Sequence, residues 1–117
     1  MKQFGIQKKE HIKLQNEMKA VFQKGKQYSD KYIKIFILKN NRDQLRFAVA
    51  INKKFGTAVL RNKAKRQIRD LFRCHKGKIN KGYDIIFFLR NEFNSISFFE
   101  KTAHFIKLLE RSGLIEH

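Results

Sequence analysis

Residues 61–73 constrain the fold more than any other part of the chain. From position 60 onward, apolar residues recur at the spacing of one helix face, which predicts an amphipathic helix packed on a core. These residues are Leu60, Ala64, Ile68, Leu71 and Phe72. Six of the thirteen residues are Lys or Arg, and one is Asp. Sequence positions 61, 65, 69 and 73 are all cationic, and like charges at this spacing cost an isolated helix about 0.2–0.5 kcal/mol per pair. The pattern favours a polyanionic partner over a solvated charged face, which usually mixes both signs.

The charge of the whole chain points the same way. It has 27 Lys and Arg against 10 Asp and Glu, a formal net charge of +17 in 117 residues. Such an excess opposes compaction and attracts phosphate-rich partners, of which nucleic acid is the first candidate. An anionic membrane surface and an acidic protein are the alternatives. The length predicts a single domain, residues 1–117.

The sequence does not indicate membrane insertion or secretion. The longest apolar run, residues 85–89, has the length of a strand and is far too short to span a bilayer. The first residues lack the apolar stretch of a signal peptide. A lone cysteine, Cys74, excludes an internal disulfide and favours a reducing, cytoplasmic location.

The remaining pattern predicts an α+β fold of order α-β-β-α-β-α, with helices packed on a small mixed sheet. The predicted elements are a helix over 14–24 that Gly25 ends, strands over 31–39 and 45–53, the basic helix from Thr57 to Gly77, a strand over 83–90, and a last helix from Ser97 to Gly113. Residues 40–44 suit a hairpin loop between the first two strands. The apolar run at 85–89 indicates a strand covered on both faces.

Alternation in the first two strands predicts one apolar face and one mixed face. Ile33, Ile35 and Ile37 belong to the apolar face. The mixed face combines aromatic, cationic and small side chains, namely Lys34, Phe36, Arg46, Ala48 and Ala50. Such a face would form a shallow groove on which unpaired bases can stack. The alternative is an ordinary solvent-exposed sheet face.

No self-contained active site is visible. The four histidines have neither zinc-ligand spacing nor a partner pattern with Cys74, and no phosphate-binding glycine loop occurs. A metal-dependent nuclease gathers several carboxylates, and nothing in the spacing of Asp30, Asp43, Asp70 and Asp84 forces them together. We therefore expect no catalytic residue, no metal ligand and no small-molecule substrate, and we expect that the catalytic atoms of any reaction belong to a partner.

Residues 46–73 closely resemble the signature of the bacterial ribonuclease P protein component. They combine a small-residue strand, Lys53-Lys54 before Gly56, and Arg61-Asn62-Lys63 in place of the family's Arg-Asn-Arg. The segment from Met18 to Phe22 and the strand after Tyr83 also fit the family. Three departures are Lys63, which lacks the bidentate fork of Arg, Thr57 in place of Asn or Lys, and Met18 in place of an aromatic residue.

The resemblance implies a subunit of the ribonucleoprotein endonuclease that matures the 5′ ends of precursor tRNAs. Its partners would be the catalytic RNA subunit, which performs the hydrolysis with Mg²⁺ that it mainly binds itself, and precursor tRNA. The implied fold is ribosomal protein S5 domain 2-like, with a left-handed β-α-β crossover. A ribosomal or other structural RNA-binding protein is the first alternative; a protein-only nuclease and a DNA-binding module follow.

The resemblance also carries residue roles. The residues expected to contact the RNA subunit are Lys53, Lys54, Arg61, Asn62, Lys63, Lys65, Arg66 and Arg69. Those expected to line the groove for the single-stranded 5′ leader are Met18, Phe22 and Phe36, to which the face pattern adds Lys34 and Arg46.

Overall fold

Three helices and four strands make up the computed structural model, which describes residues 10–12 and 15–115, with Lys53 described in its backbone alone. In chain order they are α1 (Gln15–Lys24), β1 (Lys26–Ser29), β2 (Ile33–Lys39), β3 (Arg46–Ile51), α2 (Ala58–His75), β4 (Tyr83–Leu89) and α3 (Phe98–Arg111). The mixed α+β class is confirmed. The predicted helix start at Leu14 lies outside the described residues.

The sheet has the strand order β1-β2-β4-β3, so the predicted hairpin between β2 and β3 is wrong. β4 lies between them, antiparallel to β2 and parallel to β3. Its continuous apolar run explains this, because only a central strand buries both faces. Residues 40–44 instead pack against the turn before β4, where Asn40 N–H donates to Gly82 O and Gly82 N–H donates to Gln44 O.

The hairpin that does form joins β1 to β2. β1 escaped prediction because Lys26, Gln27 and Ser29 make a polar edge strand without an apolar face. Asp30 closes the turn, since its Oδ1 accepts hydrogen bonds from Tyr32 N–H at 2.8 Å and from Ile33 N–H at 2.9 Å. The crossover from β3 through α2 to β4 connects neighbouring parallel strands. Its left-handedness and the S5-like assignment stay predictions.

The main core fills the space between one sheet face and helices α2 and α3. Ile33, Ile35 and Ile37 lie on this face, as their alternation predicted. The helix stripe is confirmed except at Leu60, which is 40% exposed because it lies in the first turn of α2. Phe47 stacks on Phe72 with ring centroids 4.0 Å apart, which ties the sheet to α2.

Side chains fix where two of the helices begin. Thr57 Oγ1 accepts a hydrogen bond from Leu60 N–H at the start of α2. At the start of α3, Ser97 and Glu100 form the predicted capping box. Each cap satisfies backbone donors that a helix end leaves open. α2 ends at His75 and passes into a short 3-10 turn before Gly77.

Gly25 joins α1 to β1 where two backbone segments nearly touch. A Cβ at this position would lie 2.5 Å from Val21 O and 3.0 Å from Ile37 O. We expect Gly25→Ala to lower the free energy of unfolding by about 1–3 kcal/mol, the usual cost of overpacking. Urea denaturation measures this loss. Gly77→Ala is the matched control, since a Cβ there meets no heavy atom within 4 Å; equal stability of both variants would contradict the close approach.

Candidate nucleic-acid interface

The cations of α2 lie on the side of the helix that faces away from the core. Ala64, Ile68, Leu71 and Phe72 are buried. Around the rest of the helix, Asn62, Lys63, Arg66 and Arg69 are exposed, and Arg61 and Lys65 are half-buried. Within the described part of the chain, the one ion pair on this helix joins Arg73 to Asp70 at 3.4 Å. The other five cations thus keep their charges free for an anionic partner.

The segment before α2 brings further charge to the start of the helix. Phe55 is buried, and Asn52 Oδ1 accepts a hydrogen bond from Lys54 N–H at 3.0 Å, which shapes a short 3-10 turn. Gly56 then turns the chain with a φ of 143°, a backbone conformation that favours glycine. Lys54 is exposed at this corner, while the Lys53 side chain lies outside the description. Backbone N–H groups at a helix start also attract anions.

The second face of the sheet carries three rows of side chains across the strands. In register, the rows are Lys34-Phe88-Ala50, Phe36-Ile86-Ala48 and Leu38-Asp84-Arg46. α1 packs on this face through the buried Val21, which shares a cluster with Phe36 and Ile86. The predicted mixed face therefore exists, and α1 packs along it. We call the sheet surface beside α1 the groove.

Phe22 and Met18, on α1, are half-buried at this groove. The Phe22 ring meets the Phe36 ring edge-on, with centroids 4.8 Å apart. Phe36 is consequently 8% exposed, so the face of its ring is largely occupied by protein. Lys34 Nζ lies 5.1 Å from the centroid of the same ring, where it can pair with a phosphate. Phe36 thus forms the floor of the groove beneath Phe22.

Arg46 does not belong to the groove surface, contrary to the prediction. It is 8% exposed, and its Nε and Nη2 donate to the two carboxylate oxygens of Asp84 at 2.9 and 2.7 Å. Its Nη1 also pairs with Glu17 of α1 at 3.2 Å. The hydrogen bonds to Asp84 are the main reason that the pKa of Arg46 is raised above its ordinary value. Alternation placed Arg46 on the correct face, but its donors already bind protein carboxylates.

Phe88 joins this surface although the sequence analysis did not assign it there. Phe88 is half-buried and lies in register between Lys34 and Ala50. Arg90 follows β4, and its N–H donates to Tyr32 O. The ring of Tyr32 lies on the α3 side of the sheet, 4.6 Å from the His104 ring, so Arg90 is not assigned to the groove. The period of two from Asp84 onward could have identified Phe88, but the apolar run at 85–89 masked it.

The groove and the basic helix meet at the end of β3. An open depression there is lined by strand residues and by the first two turns of α2; its lining is Val49, Ala50, Ile51, Ala58, Arg61, Asn62 and Lys65. Ala50 belongs to the outer row of the groove. The groove side of the sheet and the cations of α2 therefore border the same depression.

The described residues contain neither a cluster of three metal ligands nor a helix that could cross a membrane. Across positions 10–12 and 15–115, no three His, Cys, Asp or Glu side chains lie close enough to hold one metal ion. None of the helices in this part of the chain has the length and apolarity to cross a membrane.

Comparison with known proteins identifies the family. The Ribonuclease P family model matches residues 6–113. The chain belongs to the ribonuclease P protein component family. The ribonuclease P protein component of Petrotoga mobilis is 37% identical over 110 residues, which cover 91% of this chain and 93% of the relative.

Solved ribonuclease P proteins share the fold as well. The protein from Thermotoga maritima is 34% identical with a TM-score of 0.80, over 92% of this chain and 99% of that one. The protein from Staphylococcus aureus is 27% identical with a TM-score of 0.85, over 92% and 98%. The chain is thus a protein subunit of ribonuclease P, whose role is the maturation of tRNA 5′ ends. The ribosomal alternative is not favoured.

Proposed function

We propose that this ribonuclease P protein binds the catalytic RNA through the cationic side of α2 and binds the 5′ leader of precursor tRNA in the groove beside α1. The main support is the set of five α2 cations without an ion-pair partner in the described chain. The proposed RNA-subunit contacts are Lys53, Lys54, Arg61, Asn62, Lys63, Lys65, Arg66 and Arg69. We place the complex in the cytoplasm.

The protein supplies binding and orientation in this proposal, and the RNA subunit with its Mg²⁺ supplies the hydrolysis. Lys and Arg side chains of α2 neutralise phosphates, which lets two polyanions, the catalytic RNA and the tRNA precursor, approach one another. The groove adds contacts that a precursor makes and a mature tRNA cannot. It would use Met18, Phe22, Lys34 and Phe36, together with Phe88.

Salt dependence tests the α2 assignment. Release of counterions from about six contacted phosphates should lower the affinity for the catalytic RNA by about 10³-fold between about 50 and 200 mM salt. Filter binding of the purified protein to that RNA over this range gives the slope. A weak affinity that hardly changes with salt would overturn the proposal that α2 docks on phosphates.

Phe88 provides the test of the groove. We expect Phe88→Ala to weaken binding of precursor tRNA to the holoenzyme by about 1–3 kcal/mol, the usual contribution of a base stacked on an aromatic ring. Mature tRNA lacks the leader and is the matched control, so its affinity should not change. Equal losses for both tRNAs would contradict a leader site on this row. Phe36→Ala is less informative, because removal of a buried ring also lowers stability.

A further inference from the structure

The exposed large apolar side chains of the described residues lie at the starts of two helices. They are Val59 and Leu60, 76% and 40% exposed, and Phe98 and Phe99, 48% and 83% exposed. Val59 and Leu60 lie in the first turn of α2, and Phe98 and Phe99 begin α3. We call these four residues the apolar corner.

Several contacts hold the two helix starts together. Asn94 Nδ2, just before α3, donates to Phe55 O at 3.0 Å, just before α2. Farther along, Lys101 Nζ, one turn into α3, donates to Gln67 Oε1, more than two turns into α2, at 2.9 Å. The same ammonium lies 4.6 Å from the centroid of the Phe93 ring. The apolar corner is therefore built on a fixed scaffold, so a partner would find its side chains already in place.

The charges around the apolar corner favour an anionic occupant. Val59 and Leu60 are followed closely by Arg61 and Lys63, two cations without an ion-pair partner among the described residues. The Lys63 charge lies near enough to Lys101 to lower its pKa, in addition to the larger lowering by burial. A second copy of this chain would bring two such cationic helices together, at a chain charge of +17 each. A partner that has both aromatic faces and negative charge would match the exposed apolar side chains and the cations beside them.

We propose that the apolar corner packs on unpaired bases of the catalytic RNA, so that the start of α3 is a second docking element beside α2. Phe99 would stack on a base or ribose, with Val59 and Leu60 beside it and Lys63 on the adjoining phosphate. This inference rests on the proposed function, since it names a further contact to the same RNA. It predicts an affinity contribution that does not depend on salt, because ring stacking releases no counterions.

Phe99→Ala tests the inference. Because the Phe99 side chain is exposed, we expect this variant to fold normally, and its free energy of unfolding is measured as well. We expect affinity for the catalytic RNA to fall about 5- to 150-fold, as for one stacked base, with the slope of log affinity against log salt unchanged. Phe99→Tyr keeps the ring and should retain the affinity. Ala103→Ser, at an exposed site on α3, is the control for substitution as such.

Each other outcome overturns the inference in a distinguishable way. If Phe99→Ala binds the catalytic RNA with normal affinity, while RNA binding by the wild-type protein depends steeply on salt, the apolar corner is not an RNA contact. The proposed function would then still hold. Loss of self-association in sedimentation with normal RNA affinity would assign the corner to a second copy. If the unchanged protein fails to bind the catalytic RNA at all, the proposed function fails as well.

Discussion

Simultaneous replacement of Arg61, Lys65 and Arg69 by Ala is expected to weaken binding to the catalytic RNA by about 4–5 kcal/mol or more. Each side chain would lose a charge-assisted hydrogen bond to phosphate, worth about 1.5 kcal/mol or more. The slope of log affinity against log salt should also fall by about 2–3, because about 0.7–0.9 is lost with each phosphate contact. The fold should not suffer, since removal of like charges at i, i+4 relieves repulsion within α2. Filter binding across a salt series measures both quantities.

A charge-matched variant separates local contact from total charge. Lys26, Lys81 and Lys107 are exposed and lie outside α2. Their joint replacement by Ala lowers the net charge by the same three units. This control should lose much less affinity, because only long-range attraction changes. Similar losses in both triple variants would show that the overall charge of the chain, and not α2, governs binding.

Asp84→Ala is expected to lower the free energy of unfolding by about 3–5 kcal/mol, the usual cost of leaving a buried charge without its partner. Asp84 is 4% exposed and accepts hydrogen bonds from Arg46 and from Asn40 Nδ2, the latter at 2.7 Å. The same guanidinium reaches Glu17, so it also tethers α1 to the sheet. We therefore expect the groove to lose precursor affinity together with stability. Urea denaturation measures the loss of stability.

Two further variants test whether the pairing itself causes the loss. Arg42→Ala removes the exposed pair with Glu17, 3.5 Å long, and should cost less than about 1 kcal/mol. Arg46→Met combined with Asp84→Leu removes both buried charges and should restore most of the stability. If the double variant is as unstable as Asp84→Ala, packing and not an unpaired charge would be the cause.

Local signals in the sequence predicted the elements well. The apolar stripe of α2, its Thr57 cap and the capping box at Ser97 all depend on contacts within a few residues. Strand pairing depends on distant contacts, and the β2–β3 hairpin was wrong for that reason. The short loop at 40–44 suited a hairpin, but the need to bury β4 on both faces placed that strand between β2 and β3.

In the candidate site, too, local patterns were predicted and contacts between distant residues were not. Periodicity placed Lys34, Phe36 and Arg46 on one sheet face, and the register confirms that placement. What periodicity could not show was which of these side chains another element covers. α1 supplies Phe22 against Phe36 and Glu17 against Arg46, and both contacts join residues far apart in the chain. Phe88 was not identified because a strand buried on both faces and a strand with one face partly exposed can have the same apolar composition.

Cleavage of precursor tRNA at low Mg²⁺ tests most directly whether this chain contributes binding and not chemistry. The catalytic RNA alone, the protein alone, and the two together form the three arms of the experiment. We predict that the RNA alone cleaves poorly, that the protein alone does not cleave, and that the mixture removes the 5′ leader efficiently. Cleavage by the protein free of RNA, or a mixture no better than the RNA alone, would contradict this account.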